Sequence, residues 1–596
     1  MLFDLGPIGK ERRPNGLKAA YRKLGTPMKL NRSLFTLVAL AQFAVGAQAQ
    51  LALDTTSRER SRVFFNALYP ASENVPLGWT GSLTTGNSGT TSSESKQAVF
   101  LRINFFRAFA GVPAGVTNNA TWSAMDQDAA LMMSANTNVD HTPPSSWKFY
   151  SVSGATAAGK SNLSLSNCAA AAIASYMEDP GNVNTPVGHR RWILFPQTQQ
   201  MGTGDIPATG SFYAANAIWT LDLNHYADPR PTVRDGFVAW PPKGYVPYQL
   251  IYPRWSFSYP DADFSGASVS MTRNGAYLPV TVQSRVQGYG ENTLVFVPNN
   301  QNPDSWAGPV NPGNDVGYHV TVSNVVVNNV AQSFNYDVIA FDPARAGGDT
   351  PSMMIDGAPV AKAGTANTYN VAPQVLATGY QWKFSTKGSY TNVIGAEVNG
   401  EVQSQIPGRY SFRDKKIKSS GSYSYHLAHP NFTESSFTLK YPVLCNGLTQ
   451  LKFSSQLTYS TPYETATVEV STDGGNQWVS VWSQSGRNTA GEKKFRKRSI
   501  PLGMFNGREV NVRFRYALRQ GSAYTQTDDG VGWYVDNIAF ANGQRLLSTV
   551  YSGITPTPAY VFSPAAGNSY VLQVRALILG NYFGDWSVTK EIIGVN

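Results

Sequence analysis

The sequence is poor in cysteine, histidine and charge. Two cysteines in 596 residues, Cys168 and Cys445, exclude a disulfide-stapled scaffold and a four-cysteine zinc site. They fall in different predicted domains, and a chain of this length builds cores large enough to do without a disulfide. Six histidines leave few general bases. No Gly-x-Ser-x-Gly elbow and no His-Glu-x-x-His helix is present, so nothing supports a nucleophile-elbow serine hydrolase or a zincin. Charged residues make up 14%, well under the usual ~25%. Fixed-period repeats are lacking, and beyond the first 49 residues no segment reaches the ~20 apolar residues of a membrane span. Collagen, coiled coil, a disordered tail and a polytopic membrane protein are all excluded.

What the chain does have is 42% hydrophobic and 12% aromatic residues, with 53 Gly and 36 Pro. Its length suits about three to five domains. Many aromatics, little charge and frequent turn residues describe an extracellular, β-rich, multidomain protein. The net charge of +10 is concentrated at the start: residues 1–49 hold eight basic and two acidic residues, leaving a net +4 for the remainder. No basic stripe remains to bind nucleic acid. The early cations belong to an export signal. Met28-Lys29-Leu30-Asn31-Arg32 is a positive n-region, residues 33–46 are a largely apolar run, and Ala47-Gln48-Ala49 is a small-x-small cleavage site. Translation is expected to start at Met28, with 1–27 an upstream extension; the alternative is a start at Met1 with 1–27 as a long n-region. After removal of the signal no transmembrane segment is expected.

Residues 50–95 read as a polar linker. Helical periodicity is confined to 96–180, with runs at Ala98 to Ala110, Ser123 to Ala135 (Ser123 as N-cap) and Leu165 to Met177, the last stopped by Asp179-Pro180-Gly181. Short strands such as Arg191 to Phe195 and Ala217 to Leu221 then take over. From 229 to 345 the alternation is all β and suits an immunoglobulin-like sandwich. The 353–400 and 547–596 segments are each about half of a ~100-residue sandwich, so they are expected to pair into one split immunoglobulin- or fibronectin-III-like domain interrupted by the 408–545 unit.

Between Gln97 and Trp219 a series of short motifs occurs in order. Arg102-Ile103-Asn104-Phe105-Phe106-Arg107 is followed by Thr121-Trp122-Ser123-Ala124-Met125, then His141, then Gly159-Lys160-Ser161-Asn162-Leu163. Tyr176-Met177-Glu178, Gly188-His189-Arg190-Arg191-Trp192 and Met201-Gly202-Thr203-Gly204 complete it. The series resembles the CAP superfamily (cysteine-rich secretory protein, antigen 5, pathogenesis-related 1) in a divergent bacterial form. The resemblance implies an α-β-α sandwich over residues 96–228, with a cleft lined by two histidines and two acids that in some members hold a divalent metal. Carried over, His141, Glu178 and His189 match, while the remaining acid falls on Ser161. Two nitrogens and one oxygen would make a three-ligand zinc set with an open position. The alternative is that the histidines cap the helix-sheet junction by hydrogen bonds. Arg190 and Arg191 are candidates to bind an anion at the rim, against a purely structural role. Cys168, in an Ala-rich helix face, is expected in the core, and His225, His319, His426 and His429 are expected to face solvent.

The 408–545 unit, with Ser471-Thr472-Asp473-Gly474-Gly475-Asn476-Gln477-Trp478 and Gly532-Trp533-Tyr534-Val535-Asp536-Asn537-Ile538, resembles jelly-roll modules of the MAM and immune-inhibitor-A type. Its single Asp-box-like loop excludes a propeller, and Asp473 is expected to hold turn amides. Asp528, Asp529 and Asp536 form a candidate Ca²⁺ set. Trp478 and Trp533 are assigned to core, although exposed Tyr and Trp elsewhere would suit sugar rings. The whole reads as a secreted binding or adhesion protein for a glycan, cell-surface or matrix ligand rather than an enzyme. A metal-assisted extracellular hydrolase and a structural surface component are the alternatives.

Overall fold

The computed structural model describes residues 50–596, apart from 210–211, 284, 300, 304–308, 345–352, 391–393, 398–401, 407–409, 430–433, 473, 476–477, 489 and 519–525. The export signal and Asp473 lie outside the described residues.

The head is built of three layers. Its middle layer is a three-stranded antiparallel sheet in which Ser161–Leu165 and Gly204–Ile206 flank Ala215–Trp219. Strand side chains alternate between faces, and the central strand shows the consequence. Ala215, Ala217 and Trp219 pack with helices α3 (Ala120–Asn136) and α4 (Val152–Ala158), while Ile218 joins the core containing α2 (Ser93–Ala110) and α5 (Ala169–Glu178). Gly202 and Gly204 allow the sheet to approach α3. A Cβ on Gly204 would lie 2.1 Å from the Asp126 carbonyl carbon, and one on Gly202 2.5 Å from its carboxylate.

Helix ends follow their capping chemistry. Ser92 caps α2 through the Ser95 amide, and Gly111 closes it in the left-handed region at φ 75°. The cap of α3 is Asn119, which accepts from the amides of Thr121 and Trp122. Ser123, the expected cap, lies inside the helix because Asn119 stands at the right distance from those two donors. Asp179 ends α5 as expected, at φ 54°.

Two other expectations are corrected. Residues 50–95 contain helix α1 (Arg58–Ala71), whose Val63, Phe64, Phe65 and Leu68 are buried. Phe64 stacks on Phe105 of α2 at 5.6 Å, so the segment is part of the core rather than a linker. Arg191 to Phe195 is not a strand: Gly188–Ile193 forms the short helix α6. Its buried residues include Arg190 and Ile193, three apart on one helical face.

The head shares its core with the next sandwich, where the Phe106 ring meets Trp240 at 5.5 Å. That sandwich sets a five-stranded sheet (Gly244–Pro247, Ser268–Arg273, Ala276–Tyr277, Val316–Val327, Val330–Phe341) beside a four-stranded one (Val238–Trp240, Trp255–Ser258, Val280–Val282, Thr293–Pro298). In Val316–Val327 the buried positions are 316, 318, 320 and 322, then 325 and 327. A register shift between Val322 and Val325 changes the parity.

Further on, Ala377–Ser389 pairs with both Gln544–Thr555 and Ser569–Ile578. Val360–Lys362 pairs with Lys590–Val595, and Asn367–Asn370 with Ala559–Phe562. Between these partners lies a sandwich of two five-stranded groups. One runs Arg413–Asp414, Ser424–Leu427, Trp533–Ala541, Gln450–Leu457 and Arg496–Pro501. The other runs Val402–Gln405, Ser435–Leu439, Glu509–Leu518, Glu464–Ser471 and Val479–Ser485. Its core centres on Phe453, Phe514 and Trp533. Both cysteines are free, Cys445 buried and Cys168 half-buried before α5. His426 and His429 are buried rather than solvent-facing. The ring of His426 stacks on Tyr534 at 4.2 Å and donates through Nε2 to the Val531 carbonyl at 2.6 Å, which satisfies it away from water.

These pairings generate a test of the split-domain arrangement. Cleavage introduced on both sides of 408–545 is expected to leave 353–400 and 547–596 co-eluting under native conditions. Flanks that separate and unfold would refute it.

Candidate functional site

His141 and His189 each bond to the chain near the start of strand Ser161–Leu165, His141 to the Ala158 carbonyl and His189 through its carbonyl to Asn162. His141 is exposed, in the loop between α3 and α4, and its Nδ1–H donates to the Ala158 carbonyl at 2.8 Å. His189, on α6, is fixed by Asp179. Its Nδ1 donates to Asp179 Oδ1 at 2.7 Å, its backbone N–H reaches Asp179 Oδ2 at 3.2 Å, and its carbonyl accepts from Asn162 Nδ2 at 3.1 Å. About a quarter of the His189 side chain is exposed, at 26%, and its ring lies 5.2 Å from that of Tyr176. Both imidazoles therefore use Nδ1 for a protein acceptor, which sets the neutral tautomer and leaves Nε2 as the second nitrogen.

The Ser161 side chain is turned inward. Its hydroxyl is buried and donates to Asp126 Oδ1 at 2.6 Å, while Asp126 Oδ2 accepts the Trp219 amide at 2.9 Å. Arg190, proposed for the rim, is fully buried. Nε donates to the Met177 carbonyl at 2.6 Å, Nη1 to the Arg254 carbonyl at 2.7 Å, and Nη2 to the Glu178 carbonyl at 3.1 Å. Burial lowers its pKa to about 10. A guanidinium spent on the orphan carbonyls at a helix end is structural, so Arg190 does not stand at a rim as expected. Arg191 likewise donates to the Val286 and Glu291 carbonyls. Glu178 points elsewhere again. Its surroundings are Arg190, Tyr69 and Tyr252, and burial, opposed by Arg190, raises its pKa. Its Oε1 is buried with no hydrogen-bond partner among the described residues.

These placements decide how well a metal fits. Among the described residues no three His, Cys, Asp or Glu side chains are grouped so as to hold a metal ion. His141, Glu178 and His189 are not grouped as such a set, and the electrostatic neighbours of Glu178 are Arg190, Tyr69 and Tyr252. The Ca²⁺ set does not assemble either. Asp528 and Asp529 are exposed, Asp529 pairs with Lys416, and the buried Asp536 accepts the Ser419 and Ser420 amides at 2.9 and 3.0 Å.

Sequence reasoning missed the carboxylates that organise the head. Asp126 and Asp205 are both buried. Asp205 accepts from the Ala169 amide, Thr203 Oγ1 and Asn216 Nδ2, and the Tyr176 hydroxyl donates to Asn216 Oδ1. Asp179 was legible only as a helix stop. Arg107, matched by its motif alone, proves to clamp the carbonyls of Pro113, Ile193, Phe195 and Thr198. Asn104 closes two hydrogen bonds with Val116.

Two larger cavities lie away from the histidines. One, of about 590 Å³, is walled mainly by proline and glutamine, among them Pro113, Pro196, Gln199 and Pro231. The other, of about 530 Å³, opens where α1, the 402–541 sandwich and the strands around 570–587 meet. Tyr551, Phe583 and Trp586 line it, together with Lys383, Gln573 and Arg575. Tyr551 and Phe583 remain 56% and 37% exposed. Trp586 is held from its faces, by Lys383 Nζ at 4.5 Å and the Arg575 guanidinium at 4.6 Å.

Comparison with known proteins bears on the head. Residues 100–223 match the family model described as "CAP: Cysteine-rich secretory protein family". No curated protein matches the chain. Solved structures similar to part of it include a xylan-binding domain from CBM 22 (11% identity, 26% of this chain, 94% of that one, TM-score 0.18). Another is the C-terminal CBM6 of LamC, a laminarinase of Zobellia galactanivorans (11% identity, 27% and 99%, TM-score 0.15). Likeness at that level fixes neither fold nor ligand. Among the described residues no helix is long and apolar enough to cross a membrane.

The buried acids give a pH test. Burial, relieved in part by Ser161 and the Trp219 amide, holds the Asp126 carboxyl well above the usual carboxylate range, and Asp205 is raised for the same reason. A raised folded-state pKa contributes stability that is complete below the ordinary value of ~3.9 and is lost as pH rises through the folded one. Asp126→Asn, which keeps an acceptor for the Trp219 amide, is expected to flatten the fall in Tm between pH 4.5 and 7.5. An unchanged Tm profile would show that Asp126 is not the titrating group.

Proposed function

We propose that this chain is a secreted bacterial glycan-binding protein, an attachment or adhesion factor whose sugar contacts lie in its β-rich half. In this reading the 408–545 unit is a module of the MAM and immune-inhibitor-A type. It is carried by the split sandwich of 353–400 and 547–596, and the CAP-like head is a rigid companion with a polar cleft at His141 and His189.

The observation that carries the reading is the junction cavity. Its volume of about 530 Å³ is within the ~300–1,000 Å³ range of small-ligand sites. It combines two part-exposed rings, Tyr551 and Phe583, with amides and charges at its walls. Sugar rings present one apolar face and an equator of hydroxyls, and that mixture of ring and hydrogen-bonding side chain suits them. At the head, by contrast, Arg190, Asp126, Asp179 and Asp205 are all spent on internal bonds, which favours binding over chemistry there.

A glycan array probed with the purified protein is expected to give carbohydrate hits, and Tyr551→Ala or Phe583→Ala to weaken the best of them by about tenfold. A blank array, or hits indifferent to both substitutions, overturns the reading. Stoichiometric zinc in protein purified without chelators, lost in His141→Ala, would instead support the metal-assisted hydrolase.

A further inference from the structure

We infer that the junction cavity selects saccharides bearing a carboxylate, a uronic acid being the simplest case. This rests on the glycan reading above and goes further by naming the charge of the ligand.

The first argument is the balance of charged groups on the cavity wall. Lys383, Arg508 and Arg575 face Glu509 and Asp585 there. Lys383 and Glu509 neutralise each other, Nζ to Oε2 at 2.9 Å, with the Lys383 side chain only 5% exposed. Asp585 acts on Arg62 of α1 only at longer range, since that guanidinium is paired with Glu59 at 2.7 Å, so one acid stands on the wall against two cations. Arg508 and Arg575 remain, and among the described residues neither pairs with a carboxylate.

Arg575 is also built as a recognition group. Its guanidinium lies 3.8 Å from the Phe583 ring centre and 4.6 Å from that of Trp586. Nε and Nη2 both donate to Gln381 Oε1, at 3.0 and 2.7 Å. Stacking and that amide fix the plane of the fork, and Nη1 has no acceptor among the described residues. A planar, pre-oriented guanidinium suits the two oxygens of a carboxylate. Burial lowers the pKa of Arg575, the cost of a desolvated cation that an anionic ligand would offset. The side chain of Arg508 makes no hydrogen bond among the described residues and is half-buried at the same wall.

The second argument is independent of charge and points to hydroxyls. Gln573 is 2% exposed. Its Nε2 donates to the Ser587 carbonyl at 3.1 Å, which forbids flipping the amide. Its Oε1 is therefore a buried acceptor, and no donor reaches it among the described residues. A buried acceptor without a donor costs about 1–3 kcal/mol, and a ligand hydroxyl would remove that cost. One wall thus asks for a donor and another for an anion, beside rings that take the face of a pyranose.

The test uses the whole protein and an array that pairs oligogalacturonate, hyaluronan tetrasaccharide and glucuronoxylan fragments with neutral and sulfated oligosaccharides. Calorimetry follows with the strongest hit and its methyl ester. Uronate-bearing hits are expected to dominate, and the methyl ester and Arg508→Gln each to weaken binding about tenfold. Lys452→Gln, an exposed lysine outside the cavity, should leave it unchanged. Hits confined to neutral or sulfated sugars, or an equal loss with Lys452→Gln, overturn carboxylate selection and leave the glycan reading standing. An array with no hits overturns both.

Discussion

Two buried guanidiniums hold the end of α5, and most of the head follows from them. The last carbonyls of a helix have no partners within it. Here Arg190 takes those of Met177 and Glu178, and Arg254, from the next sandwich, takes those of Asp179 and Gly181. Arg190 also reaches the Arg254 carbonyl, so one cluster closes the helix and fastens the head to its neighbour. With α5 ended in this way, Asp179 stands where it receives both the ring and the backbone N–H of His189. Breaking hydrogen-bonded buried cations out of such a cluster costs several kcal/mol, which is why these arginines serve the fold and not a ligand.

The same principle separates the head from the junction cavity. Most buried charged groups in the head are satisfied by backbone or by one another, Glu178 Oε1 being an exception among the described residues, and the second nitrogens of two imidazoles are open there. At the junction the balance is left unequal: among the described residues two cations form no pair with an acid, an amide oxygen has no donor, and two rings keep part of their surface in water. Residues poised in that way cost stability, and binding is what would recover it.

Much of this was legible in the sequence, and the exceptions have physical causes. The Asp179-Pro180-Gly181 stop, the core of α2 and the alternating strands of the sandwiches rest on local chemistry, and local chemistry is what a sequence displays. Gly188–Ile193 was misread because a six-residue helix and a short strand carry too few positions to separate periods of 3.6 and 2. Helix α1 hid in a polar stretch because its buried face, Val63, Phe64, Phe65 and Leu68, is flanked by arginines and followed by Pro70. Arg190 looked available because its neighbour His189 belongs to a motif, whereas its acceptors lie on α5 and at Arg254. Glu178 matched a pattern, yet the direction of its side chain depends on tertiary packing. The junction cavity could not be foreseen, since it draws on positions as distant as Asn66, Lys383, Glu509 and Gln573.

The strand pairing sets an order of assembly. Among the described residues, Val360–Lys362, Asn367–Asn370 and Ala377–Ser389 find their strand partners within 544–595, so during synthesis those pairings wait while the intervening module emerges. Within that module the sheet from Arg413–Asp414 to Arg496–Pro501 draws only on strands between 413 and 541 and can mature first, while the other is joined through Val443–Leu444 to Gln544–Thr555. Once folded, the module holds the two halves of its host near one another, shortening the search that loop-closure entropy would otherwise make slow. In the split arrangement, the intervening strands would thereby act as a scaffold for the flanking ones.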